Sequence, residues 1–234
     1  MPDRPYTLLS CCISLDGYLD DARPERLVLS PAADLHRVDA ERAGCDAILV
    51  GAETVRRDDP RLLVRSDGCR AARLARGLPV TPLRVTVTGS GDLDPGARIF
   101  TEPGTGTLVY AAQSAAGPLT RRLGHTATVV QAGPAVDLAW VLGDLYARGV
   151  RRLMVEGGRR VLTQLLAAGL ADELQLVVAP VFVGDAEAPR FVDPGAYPFR
   201  APHRARLAEV LQVGDAALLR YALTDRVPIH SEEP

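Results

Sequence analysis

Short apolar runs separated by polar turns recur along the chain and predict a series of strands. The first run extends from Tyr6 to Ile13 and ends at a turn formed by Asp16 and Gly17. Continuous apolar runs of this kind are typical of strands that are buried on both faces of a sheet. Further runs of the same kind are "CDAILVG", "PLRVTVTG", "GTLVYAA", "TATVVQA", "RRLMVEGG" and "DELQLVVAPVFVG". Near the end, two runs flank Gly214 and Asp215, a pattern that predicts a hairpin.

Segments with helical spacing lie between several of these runs. "SPAADLHRVDAERAG" predicts a helix with Ser30 as N-cap, Pro31 in the first turn and Gly44 at the end. "DLAWVLGDLYARGV" and "RVLTQLLAAGL" each place apolar residues on one helical face. Strands that alternate with helices predict an α/β fold with a central, mostly parallel sheet, flanking helices and an antiparallel edge. No break in composition divides the chain, so we expect residues 1–234 to form a single domain.

Composition narrows the class of protein without revealing its chemistry. The 234 residues are 47% hydrophobic and 24% charged, with a net charge of −2, which is ordinary for a globular protein and argues against nucleic-acid binding. No apolar run reaches the length of a membrane span, and the N-terminus does not resemble a signal peptide. The four cysteines lack disulfide or zinc spacing, so we expect reduced core residues and a cytoplasmic protein.

Ligands of open α/β sheets bind beyond the carboxyl ends of the strands, and four polar segments follow predicted strands in this way. These segments are "SLDG", "GAETVRRDDPRL", "TGSG" and "EGG". In the last, Gly157 and Gly158 stand between a strand and a helix, where free amides attract anions and glycine allows close approach. They suit a pyrophosphate, although the Gly-Gly pair alone is more often a tight turn without a ligand. The chain has neither G-x-G-x-x-G nor Walker A sequences.

The segment after the second predicted strand carries several polar groups. Thr54 is suited to a phosphate or a ribose hydroxyl, and Arg61 and Arg65 to an anionic substrate. Asp58 and its neighbour precede Pro60, which favours an extended turn. The alternative is a solvated loop. No arrangement of histidines or carboxylates predicts a hydrolytic triad or a metal site.

Taken in order, the segments resemble a known family. "SLDGYLDD", "ERLVLSPAADLHRVDAERAGCDAILVGAETVRRDDPRLLVR", "VTVTGSGDLDP" and "VEGGRRVLTQLLAAGLADELQLVVAPVFVG" are similar to the C-terminal reductase domain of the bifunctional riboflavin-biosynthesis deaminase/reductase. The resemblance runs from about Tyr6 to Gly184 and implies a dihydrofolate-reductase-like fold. The zinc signature of the deaminase is absent, so we expect a stand-alone reductase, and the family pattern implies a homodimer.

The resemblance implies NADPH as cofactor and a ribosylaminopyrimidine 5′-phosphate as substrate, whose ribose becomes a ribityl chain. The positions it assigns to the cofactor are Cys12, Leu27, Thr54, Asp58, Ser90, Gly157, Gly158, Arg159, Arg160, Val161, Leu162, Thr163 and Gln164. Those it assigns to the substrate are Glu25, Arg42, Leu62, Arg65 and Glu156.

Within this set we expect Arg42 and Arg65 to bind the 5′-phosphate, because guanidinium groups match phosphate oxygens. Glu156 would contact the substrate, and either Glu156 or Asp16 would deliver a proton. The acidic Glu25 stands where family members often have a small hydroxyl residue, so other substrates stay open. The alternatives are a reductase of dihydrofolate, a pterin or another heteroaromatic compound, and a non-catalytic nucleotide-binding protein.

Overall fold

A computed structural model describes residues 3–23, 25 and 27–228 and divides the chain into two compact units. The first comprises residues 1–5 and 38–158, and the second comprises residues 6–37 and 159–234. The strands, in chain order, are β1 (Tyr6–Ser14), β2 (Ala47–Gly51), β3 (Leu83–Thr88), β4 (Thr107–Ala111), β5 (Thr128–Gln131), β6 (Arg152–Val155), β7 (Glu173–Ala179), β8 (Arg206–Val213) and β9 (Ala216–Ala222). The helices are α1 (Ala32–Ala43), α2 (Ala52–Asp58), α3 (Asp67–Ala75), α4 (Arg98–Thr101), α5 (Gln113–Leu123), α6 (Leu138–Ala147) and α7 (Arg159–Ala167).

The first unit contains five strands in the order β5-β4-β3-β2-β6, and all of their pairings are parallel. Its core includes Ile48, Val50, Val109 and Leu119, which are nearly inaccessible to solvent. Strand β2 is buried at every position, as expected for a strand with neighbours on both sides and helices on its faces. Its carboxyl end and that of β6 therefore open at the same edge of this sheet.

The second unit contains four strands in the order β1-β7-β9-β8. Strands β1 and β7 pair in parallel, whereas β9 and β8 add an antiparallel hairpin that turns at Gly214. The predicted α/β class, with a mostly parallel sheet and an antiparallel edge, is confirmed. No helix in the described part of the chain combines the length and apolar character needed to cross a bilayer.

Three predicted helices are confirmed as α1, α6 and α7, and the carboxylate of Asp137 caps α6 by accepting the N–H of Ala139 at 2.8 Å. Helices α2 to α5 were not predicted. Asp58 and Asp59 were expected in an extended turn, but α2 continues through Asp58, and Asp59 has a left-handed backbone with a φ of 40°. The carboxylate of Asp59 accepts hydrogen bonds from the backbone N–H and the Nε of Arg98. This contact fixes the turn that the Asp-Pro pattern alone did not specify.

Candidate functional site

The carboxyl ends of β2 and β6 lie side by side in the first unit and bring two of the predicted polar segments together. The strands pair in register from Ala47 with Leu153 to Leu49 with Val155. Beyond β6, the N–H of Glu156 donates to the carbonyl of Leu49 at 3.0 Å, and the N–H of Gly51 donates to the carbonyl of Gly157 at 3.3 Å. The Glu-Gly-Gly segment is thereby fixed against the junction of β2 and α2.

The two glycines adopt conformations that other residues rarely tolerate. Gly157 has a φ of +126° and Gly158 a φ of +88°. A Cβ atom on Gly158 would lie 3.2 Å from Oγ1 of Thr54, whereas one on Gly157 would meet no atom within 4 Å. Among the described residues, neither glycine N–H has a hydrogen-bond acceptor. The turn therefore combines close packing on one side with open space and unused amide donors.

The carboxylate of Glu156 is held by Arg42, which projects from the last turn of α1. Nε of Arg42 donates to Oε1 at 2.6 Å, and Nη2 donates to Oε2 at 2.5 Å, a bidentate pair. Only 11% of the arginine side chain and 13% of the glutamate side chain are exposed. Burial alone would lower the pKa of Arg42, but the charge and hydrogen bonds of Glu156 raise it above its ordinary value. Two residues that were both assigned to the substrate are thus bound to each other in this structure.

Arg65 presents the opposite situation. Its side chain is exposed, and its guanidinium has no hydrogen-bond or ion-pair partner in the described part of the chain. Its backbone is nevertheless fixed, since the N–H groups of Arg65 and Ser66 donate to the two carboxylate oxygens of Asp39 at 2.6 and 2.7 Å. Sequence reasoning missed Asp39, because nothing in its neighbourhood on α1 indicates a partner 26 residues further along the chain.

The remaining predicted residues of the first unit differ in their position and in their exposure to solvent. Thr54 lies in the first turn of α2, in contact with the glycine turn, and Asp58 ends the same helix. Ser90 is exposed after β3, and its hydroxyl oxygen accepts the N–H of Asp92 at 3.2 Å. The side chain of Leu62 is 2% exposed and belongs to the hydrophobic core. That side chain packs inward, so only the backbone of Leu62 is available to a substrate, and its assignment to the substrate stays a prediction.

Asp16, which follows β1 in the second unit, was expected as a possible proton donor. Its carboxylate accepts hydrogen bonds from the hydroxyl of Ser14 at 2.6 Å, the N–H of Val183 at 3.1 Å and the N–H of Gly184 at 2.7 Å. These bonds, led by that from Ser14, lower its pKa to about 2. In this structure the carboxylate acts as a hydrogen-bond acceptor at the turn, and its role as a proton donor stays a prediction.

Three further predicted residues belong to the second unit. Cys12 is half-buried, and burial raises the pKa of its thiol to about 11, so it stays protonated at neutral pH. The N–H of Leu27 donates to the carboxylate of Asp20 at 2.9 Å, and Glu25 is exposed. The surroundings of these three residues do not identify a ligand. The assignment of Cys12 and Leu27 to the cofactor and of Glu25 to the substrate stays a prediction.

The predicted cofactor residues at the start of α7 divide into three groups. Val161 and Leu162 are buried in the core of the second unit, so only their backbone is available to a ligand. Arg159 pairs with Asp193 at 3.2 Å, and Thr163 accepts the N–H of Asp193 at 2.9 Å. The polar side chains of this group that are exposed to solvent are those of Arg160 and Gln164.

Comparisons with known proteins agree on one family. The model of the RibD C-terminal domain family matches residues 5–219. A 2,5-diamino-6-ribosylamino-4(3H)-pyrimidinone 5′-phosphate reductase of Archaeoglobus fulgidus is 34% identical over 224 residues, covering 95% of this chain and 98% of the relative. A reductase of the same name from Methanothermobacter thermautotrophicus is 36% identical over 191 residues, which are 81% of this chain and 84% of that one.

Solved structures support the same fold. A pyrimidine reductase-like protein of Corynebacterium diphtheriae superposes with a TM-score of 0.77 at 24% identity, over 94% of this chain and 92% of the other. RibD of Acinetobacter baumannii gives a TM-score of 0.76 at 23% identity, over 94% of this chain and 58% of the other. Since the family model spans both units and relatives above 30% identity are matched over most of their length, the chain belongs to the RibD C-terminal domain family of reductases.

Proposed function

We propose that this protein uses NADPH to reduce 2,5-diamino-6-ribosylamino-4(3H)-pyrimidinone 5′-phosphate, converting its ribosyl group into a ribityl chain. The relatives that carry the name of this substrate support the choice among ribosylaminopyrimidine phosphates. The structural observation that carries the proposal is the Glu-Gly-Gly turn beside the end of β2. It places a carboxylate held by Arg42 next to two glycines whose N–H groups have no acceptor in the described part of the chain.

The glycine turn fits a dinucleotide. Open space beside Gly157 and unused N–H groups on both glycines suit the anionic oxygens of a diphosphate, which need close approach and donors more than side chains. Thr54 adds a hydroxyl in contact with the same turn. When bound, NADPH would supply the hydride. The choice of NADPH over NADH follows from the family resemblance.

Glu156 and Arg65 suit different parts of the substrate. Each oxygen of an ionised carboxylate has more than one lone pair, so Glu156 retains acceptor capacity for substrate N–H or O–H groups while it binds Arg42. Because Arg42 holds the carboxylate through two bonds, Glu156 would meet the substrate in a fixed orientation. Arg65, whose guanidinium has no partner among the described residues, is suited to the 5′-phosphate.

Three broader proposals accompany this reaction. Residues 1–234 act as a single reductase domain, which the family match across both units supports. The protein forms a homodimer, supported by large exposed apolar side chains in the second unit, including Phe182 at 73% and Val210 at 56% exposure. It works in the reducing cytoplasm, where its four free cysteines persist as thiols.

The function is tested by following NADPH absorbance with purified protein and a panel of substrates. We expect NADPH oxidation with the ribosylaminopyrimidine 5′-phosphate, a ribityl product identified by mass spectrometry, and no oxidation with dihydrofolate. Turnover of dihydrofolate alone would instead support the alternative reductase. Failure to bind NADPH in a fluorescence titration would support a non-catalytic protein.

A further inference from the structure

We propose that Asp39 is a positioning residue that fixes Arg65 for recognition of the substrate's 5′-phosphate. This inference rests on the proposed function and deepens it. It gives the buried carboxylate of Asp39 a part in phosphate specificity, which it exerts through the backbone of Arg65.

Asp39 is bound almost entirely to the segment that carries Arg65. Asp39 belongs to α1 and is only 6% exposed. Its two oxygens accept the N–H groups of Arg65 and Ser66 at 2.6 and 2.7 Å. A buried carboxylate is unfavourable unless hydrogen bonds compensate for lost hydration, so both amides are needed to stabilise it. In return, the carboxylate fixes the peptide groups on either side of the Arg65 Cα atom.

Neighbouring contacts hold the rest of this segment. The carbonyl of Leu63 accepts Nη1 of Arg42 at 2.8 Å, and the N–H of Val64 donates to Oγ1 of Thr81 at 2.9 Å. Arg42 also stands three residues after Asp39 on α1, so one helical turn supplies two of these contacts and orients Glu156 as well. Every residue from 63 to 66 is held through its backbone, whereas the guanidinium of Arg65 has no partner among the described residues.

The backbone of Arg65 is fixed, while its guanidinium has no partner among the described residues. This arrangement favours binding of an anion. Ordering a loop when a ligand binds subtracts from affinity, and a loop that is already ordered avoids this loss. The contrasting explanation is that Asp39 only stabilises the start of α3, which Ser66 caps through the N–H of Cys69. The two explanations differ in what happens to recognition of the phosphate, and this difference can be measured.

The chain offers a matched control in the same unit. One carboxylate oxygen of Asp46 accepts the N–H groups of Arg151 and Arg152, both at 2.8 Å, at the start of β6. Asp39→Asn and Asp46→Asn therefore each disturb a carboxylate that binds two consecutive amides, but only the first adjoins Arg65. Steady-state kinetics would be measured for both variants with the 5′-phosphate substrate and with its dephosphorylated nucleoside, together with thermal melting temperatures.

For Asp39→Asn we expect KM for the phosphorylated substrate to rise about tenfold. The asparagine side chain presents an NH2 group to one of the two backbone N–H groups, so one hydrogen bond to a charged acceptor is lost and Arg65 is held less firmly. Because the proposed role of Arg65 is to bind the 5′-phosphate, kcat and the kinetics of the nucleoside should change by less than about twofold. Asp46→Asn should lower the melting temperature without changing the preference for phosphate. Asp39→Glu, which keeps the charge but shifts it by one methylene group, should reduce the preference less and serves if the asparagine variant does not fold.

A double-variant cycle separates positioning from general stability. If Asp39 acts through Arg65, Asp39→Asn should not weaken phosphate preference further once Arg65→Ala is present. Equal losses for substrate and nucleoside in Asp39→Asn, or an additive loss in the double variant, would overturn the role of Asp39 alone. No phosphate preference in the wild-type protein would overturn the substrate assignment as well.

Discussion

In the described part of the chain, two strands are followed by a carboxylate and then by glycine with a positive φ, yet they use the carboxylate differently. After β1, Asp16 accepts hydrogen bonds from the hydroxyl of Ser14 and from the backbone N–H groups of Val183 and Gly184. After β6, Glu156 accepts two hydrogen bonds from one buried guanidinium contributed by α1. Asp16 therefore joins its turn to the segment after β7 through uncharged donors, whereas Glu156 joins the end of β6 to α1 through opposite charges.

The glycines that follow differ at one position. A Cβ atom on Gly17 or on Gly157 would meet no atom within 4 Å, whereas one on Gly158 would lie 3.2 Å from Oγ1 of Thr54. The comparison shows that a strand ending in an acidic residue and glycine is not by itself a site. The partners of the carboxylate and the surroundings of the glycine distinguish a turn from a region prepared for a ligand.

The largest effect should come from Glu156→Gln. The substitution leaves the buried guanidinium of Arg42 without a counter-charge, which should lower the free energy of unfolding by about 3 kcal/mol. Loss of a charged acceptor for the substrate should lower kcat/KM about a hundredfold, since such hydrogen bonds are worth roughly 1.5–3 kcal/mol. Chemical denaturation and steady-state kinetics measure the two effects. A loss no larger than that of Asp16→Asn would contradict the distinction between the two strand ends.

A smaller effect is expected from Gly158→Ala, with Gly17→Ala as its control. Both substitutions place an alanine at a φ of +88°, which costs about 1–2 kcal/mol of stability. Gly158→Ala should cost more, because its methyl group must displace the hydroxyl of Thr54, and it should also weaken NADPH binding. Melting temperatures and fluorescence titration with NADPH check both points. If the two variants lose equal stability and bind NADPH equally well, the glycine turn is not a ligand site.

The smallest effect concerns Asp16 and depends on pH. Its pKa is lowered from 3.8 to about 2 in the folded protein, so its ionised form stabilises the fold above pH 3.8. That contribution is lost as the pH falls through about 2. The stability difference between the wild-type protein and Asp16→Asn should therefore be constant near neutral pH and shrink between these values. Urea denaturation across this range measures it, and a difference that grows toward low pH would exclude the assigned direction of the pKa.

The strands and the apolar helices could be predicted because their signal is local. α6 shows this, since its buried residues repeat at helical spacing and Asp137 precedes them. α3 shows the reverse, because its buried side chain is that of Arg73, whose guanidinium binds the carbonyls of Pro79, Ala43 and Cys45. Because arginine is usually exposed, the residue types of α3 do not indicate that Arg73 lies on its buried face. α5 was missed for another reason, since Pro118 lies inside it and normally indicates a break.

The site was predictable in its residue types more than in its contacts. The glycines beside Glu156 were found because strand-to-helix glycines have a physical role near anions. The pairing of Arg42 with Glu156 spans 114 residues, and that of Asp39 with Arg65 spans 26. Contacts at such separations depend on which strands become neighbours. The sequence therefore indicated acidic and basic groups at one site without showing which of them neutralise each other.

The most direct test of the account is a crystal structure of the protein with NADPH bound. We predict that the diphosphate oxygens accept hydrogen bonds from the N–H groups of Gly157 and Gly158, with the Arg42–Glu156 pair still intact. A diphosphate bound at the Asp16 turn, or a cofactor that leaves both glycine amides without a partner, would contradict the central claim.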